Sequence, residues 1–231
     1  MSATKPKSIF DPITAIIDKF IIPVSIESLR LLPDSIVLGT MILAGLSMCK
    51  SYGILVFTMV ELMLGQRVLS NIIGGIAPVG AGNDALNMVC QPGFTFPNAM
   101  RISLLETIGI PSMFPSPVMF FLSAVISYMI AAMNEFSREI KSLGGDLGAR
   151  TMVGVVMGMM LLFAMLGFRY SYGCESFGTL LLSLLVGGAA GAALVQQNKA
   201  LFGRDGVNVL NLPMIKSMEE RGKPMYVCAP G

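Results

Sequence analysis

Hydrophobic positions along this chain gather into long runs separated by short polar joints. Thr151–Gly167 and Ser176–Val195 carry no charged residue. At about 1.5 Å rise per residue, each run as a helix approaches or spans a hydrocarbon layer roughly 30 Å thick. A third run, about 114–133, opens on Phe114-Pro-Ser-Pro, with Pro117 suited to a first helical turn. The fourth, Ser35–Gly65, is broken by Cys49-Lys50-Ser51-Tyr52-Gly53. It reads either as one long span or as a tight hairpin of two. Residues 9–22 place Ile9, Phe10, Ile13, Ile16, Ile17, Phe20 and Ile21 on one face at helical spacing, with Pro23 as the stop. That amphipathic helix suits a membrane interface or the surface of a protein partner equally.

Charge placement arbitrates the ambiguous run. With one span over 35–64, one side holds Lys5, Lys7, Lys19, Arg30, Arg138, Lys141, Arg150, Lys199, Arg204, Lys216, Arg221 and Lys223, and the other only Arg67, Arg101 and Arg169. The hairpin splits the cations 7 against 9. The expected fold is therefore an all-α integral membrane protein with four transmembrane helices, at about 35–64, 114–133, 151–167 and 176–196. Its parts are an N-terminal segment 1–34, a membrane domain 35–196 with a long loop 66–113, and an extramembrane tail 197–231. Both termini then face the cytosol, and with no cleavable signal peptide in view the first span directs insertion. In the tail, Val207–Pro213 and Pro224–Cys228 read as short strands around a charged turn. The Gly- and Pro-rich loop is apolar enough to fold down onto the bundle.

Composition supports this class: 13% charged residues and a mean hydropathy of +0.72 leave little to solvate a globule. The chain has no histidine, which removes Ser-His and Cys-His dyads and imidazole metal ligands. Its four cysteines form no C-x-x-C pair, and a net charge of +2 gives no argument for nucleic acid. No cofactor, metal or catalytic residue is expected. The 19 methionines read as pliant packing residues rather than copper ligands.

Three groups of residues stand out. Gly154 and Gly158, and then Ser183, Gly187 and Gly191, recur one turn apart, as close helix packing in lipid requires. Lys50 and Glu61 fall inside a span, on nearly the same face but about 16 Å apart along the axis, too far to pair. They are either snorkelling charges on a tilted helix or part of an ion path. Cys90 and Cys174 share the charge-poor side, so a disulfide between them is permitted; two free thiols are the alternative.

Several short motifs, in order, resemble one family. Cys90-Gln-Pro-Gly-Phe94, Phe114-Pro-Ser116, Cys174-Glu-Ser-Phe-Gly178, Leu201-Phe-Gly203, Asn208-Val-Leu-Asn-Leu-Pro213 and Gly222-Lys-Pro-Met-Tyr-Val-Cys228 look like a membrane protein of large icosahedral double-stranded DNA viruses, chlorella viruses among them. The resemblance runs from about residue 90 to the end. It implies a minor capsid component of the virion inner membrane, inserted through the host endoplasmic reticulum, with the bilayer, capsid proteins and other copies of itself as partners. It brings no catalytic residues. The competing expectations are a small channel or transporter using Lys50 and Glu61, and a thiol oxidoreductase using Cys90 or Cys174.

Overall fold

The computed structural model describes residues 17–76, 89–95, 101–105, 114–142, 145–210, 214–218 and 224–227. A π-helical turn, Ile17–Ile21, leads directly into helix α1, Ile22–Ser47. Pro23 therefore does not stop a helix. It lies in the first turn of one, where a missing N–H costs nothing. The expected boundary at residue 34 likewise falls inside α1; the amphipathic segment before Ile17 lies outside the described residues.

The expectation of one continuous helix over 35–64 is overturned. α1 ends at Met48, whose φ of 50° is left-handed and whose N–H donates to the Ala44 carbonyl. A new helix, α2, runs from Lys50 to Ile76. The two form a hairpin. Asp34 Oδ1 accepts the Leu105 N–H at 3.0 Å, and Leu105 also lines a small apolar pocket with Leu62, Met63 and Gln66. Asp34 thus lies level with residues 62–66, and Met48-Cys49 is the turn between antiparallel arms. Length supplies the reason: 31 helical residues extend about 46 Å, half as long again as a hydrocarbon layer.

Helix α3, Pro117–Glu135, starts from Ser116, whose side chain accepts the Met119 N–H. It is the axis of the bundle: every residue from Val118 to Val125 is buried. The short α4, Ser137–Ser142, follows after Phe136, then α5, Gly145–Ser171, and α6, Phe177–Phe202. Ser176 caps α6 by accepting the Thr179 N–H. α1, α2, α3, α5 and α6 are each long and apolar enough to cross a membrane, five in all among the described residues. That composition fits a multi-pass membrane protein. α5 buries few of its apolar residues, and Met152, Val153, Met157, Met160 and Phe163 are exposed. Such a face suits hydrocarbon, not water.

The hairpin alters the ends. α1 begins at the end of the bundle that holds Cys90 and Cys174, whereas α6 finishes at the opposite end. The termini themselves, residues 1–16 and 228–231, which the expectation of both ends on one face concerns, lie outside the described residues. Two small ribbons complete the fold: β1, Phe94–Thr95, pairs antiparallel with β2, Arg101–Ile102, and β3, Met214–Met218, with β4, Pro224–Val227. The strand expected over Val207–Pro213 is not found in its described residues: Arg204–Val207 is a 3-10 turn, and β3 lies beyond it, partly in the segment expected to be the charged turn. Val207, Asn208 and Val209 are buried against the bundle instead.

Candidate functional site

The α3–α6 contact shows what the small residues do. Ser183, Gly187 and Gly191 lie buried on one face of α6. A Cβ on Gly187 would collide with the Ser123 hydroxyl and the Phe120 carbonyl; one on Gly191 would collide with the backbone of Ala124. The partner of this stripe is thus α3. Gly154 and Gly158 belong elsewhere: Gly154 has nothing near its Cβ position, and Gly158 meets only the Ile126 side chain, at 3.3 Å.

Polar side chains are concentrated in three layers. At one end, Cys90 and Cys174 form a disulfide with a Cα–Cα distance of 5.4 Å, both residues buried. Arg169, in the last turn of α5 and 4% exposed, donates to the Cys90 carbonyl at 3.0 Å and to Glu175 Oε1 at 2.6 Å. The Ser116 hydroxyl donates to the same carboxylate oxygen at 2.7 Å, and the Ser116 N–H donates to Ser183 Oγ at 2.8 Å. From α2, Gln66 Nε2 donates to the Pro115 carbonyl at 2.9 Å and to Ser70 Oγ at 3.0 Å. A buried guanidinium and carboxylate pair here, and the Cys90 carbonyl that the guanidinium holds is pinned a second time by the disulfide.

The middle layer joins α2, α3 and α6. Asn198, fully buried, donates from Nδ2 to Thr58 Oγ1 at 2.7 Å and to the Tyr128 hydroxyl at 3.1 Å. Gln197 Nε2 donates to Glu61 Oε1 at 2.6 Å. The third layer, at the end opposite the disulfide, is an ion-pair cluster. Arg204 pairs with Glu139 at 2.7 Å and donates to the Glu135 carbonyl at 2.6 Å. Its guanidinium also covers the Phe136 ring at 4.8 Å. Lys199 pairs with Glu135 at 2.7 Å. Glu139 is 1% exposed, and Arg204 is its cation partner.

Lys50 and Glu61 are not brought together. Lys50 is exposed as the first residue of α2, at the hairpin tip beside Cys49. The expectation that it lies within the membrane depended on an unbroken helix. Glu61 is tied to α6 by Gln197. Sequence reading missed Asp34, Arg169, Glu175, Glu139 and Arg204. The one available signal was Glu135 and Glu139, one helical turn apart and followed by cations at 199 and 204. Among the described residues no group of three or more Cys, Asp or Glu side chains converges as a metal site. In comparisons with known proteins, no family model, no curated protein and no solved structure matches this chain.

Proposed function

We propose that this chain is a static structural membrane protein that crosses a bilayer five times, serving as a minor capsid component that joins the inner membrane of a virion to its shell. One observation carries the structural reading: the hydrogen bonds and ion pairs described above run between helices and tie them together. Arg169, Glu175, Ser116 and the disulfide lock one end, and Arg204, Glu139, Glu135 and Lys199 lock the other. The viral assignment draws on the motif resemblance between residue 90 and the C-terminus.

The disulfide orients the chain. Such a bond forms and persists on the oxidising side of a membrane, which for endoplasmic reticulum is the lumen. The start of α1 then lies on the lumenal side. The ion-pair end, with Arg138, Lys141 and Arg150 on exposed or flanking segments, faces the cytosol, where a capsid shell assembles. Lys199 and Arg204 lie at that end too, and cations are what cytosolic flanks of membrane helices carry.

The channel reading would need Glu61 to face a polar path with Lys50, and the geometry places them apart. Two measurements test the proposal. The protein should be found in purified particles in fixed proportion to the shell proteins. Ion flux in proteoliposomes should match that of empty liposomes and be indifferent to Glu61→Gln. A flux that Glu61→Gln abolishes would replace the structural reading with the channel.

A further inference from the structure

The contact between α3 and α5 leaves a groove of about 410 Å³ at the end opposite the disulfide. Ile126, Met129 and Met133 of α3 form one wall, Gly154 and Gly158 of α5 the other, and Leu210 the end. The volume lies within the ~300–1,000 Å³ common for small-molecule sites. Its lining is almost wholly apolar, so water gains nothing there. The exceptions are Arg150 and Thr151, together at one end. From Arg150 to Gly158 the groove extends about 12 Å along the helix axis. Nothing fills the space beside Gly154.

We propose that this groove holds one acyl chain of a glycerophospholipid whose anionic headgroup is bound by Arg150. The proposal rests on the membrane-spanning reading and orientation above. Three observations identify the occupant. Neighbouring α5 residues Met152, Val153 and Met157 are exposed, which places the open side of the groove in hydrocarbon. Arg150 lies where α5 leaves the apolar run, at headgroup depth. It is exposed, while Glu135 and Glu139 at this end are engaged by Lys199 and Arg204. A guanidinium offers two parallel donors that match phosphate oxygens. Anionic lipids are also enriched in the cytosolic leaflet. The glycines, which no α3–α5 backbone contact requires, are explained as the flat wall along which a methylene chain lies.

The test uses the full chain reconstituted in vesicles of mixed phosphatidylcholine and phosphatidylserine, followed by gentle extraction and native mass spectrometry. The wild-type protein should retain one phosphatidylserine in preference to phosphatidylcholine. Arg150→Gln should lower that preference about five- to tenfold, the worth of one cation near an anionic headgroup. Gly154→Leu, at the position with nothing beside it, should displace the bound lipid while the chain stays folded. Retention of the chain in carbonate-washed vesicles reads the membrane-spanning proposal separately. A chain that stays embedded but holds no lipid, or whose preference survives Arg150→Gln, overturns the groove alone. A stable dimer that protects the groove from lipid would assign it to a second copy instead, and overturn it too.

Discussion

Gly187 and Gly191 leave no room for a side chain between α6 and α3, whereas Gly154 has open space before it. The three therefore separate by substitution. Gly191→Leu must push against the Ala124 backbone, which cannot retreat without moving α3; the expected loss is about 2 kcal/mol or more, read as a lower melting temperature in detergent. Gly154→Ala should leave the melting temperature unchanged or slightly raised, because it adds helix propensity and meets nothing. Met48 makes a complementary case. Its left-handed φ carries a Cβ penalty that glycine lacks, so Met48→Gly should stabilise the hairpin slightly or be neutral, where Met48→Val should destabilise it. At this scale the sequence was informative where spacing alone sets the role, as with Ser183, Gly187 and Gly191. It was silent on Asp34, because its partner is a backbone N–H 71 residues away. Arg169 was hidden for the same reason: its partners are a loop carbonyl and a carboxylate beyond a turn.

Among the elements, α3, α5 and α6 were legible because uninterrupted apolar runs of membrane length have few other destinies. The α1–α2 hairpin was not. Counting cations favoured a single span, but that bias is a statistical tendency of short loops. What sets the two arms level is instead the contact of Asp34 with Leu105, which lies far along the chain. Pro23 misled for a similar reason, since a proline stops a helix only when a preceding turn needs its N–H. The hairpin makes a direct prediction. Cys49 lies at its tip and is free, so a membrane-impermeant maleimide should label it from the face opposite the disulfide, in intact oriented vesicles. Within a single long span Cys49 would sit in hydrocarbon and resist the reagent from both faces.

Across the whole molecule, a lock lies at each end of the same central helix. At the ion-pair end, Arg204→Met should cost about 3 kcal/mol by leaving the buried Glu139 without its cation, and Glu139→Ala less, because Arg204 is partly exposed and keeps Glu135. The double variant should recover part of the loss, because a pair removed together leaves no lone charge; simple additivity in thermal unfolding would show that the two side chains act independently. At the other end, Cys90 and Cys174 close a loop of 84 residues. Chain entropy values such a closure at up to about 4.5 kcal/mol for an otherwise free chain. Helices already held in a bilayer have less freedom to lose, so Cys174→Ala should cost less than that and still lower the melting temperature measurably. The same bond makes the middle of the protein a covalent ring that contains α3, α4 and α5. A protease that cuts once within residues 136–150 would therefore sever the backbone without releasing either piece. The two fragments would migrate as one species until a reductant was added, and only then part.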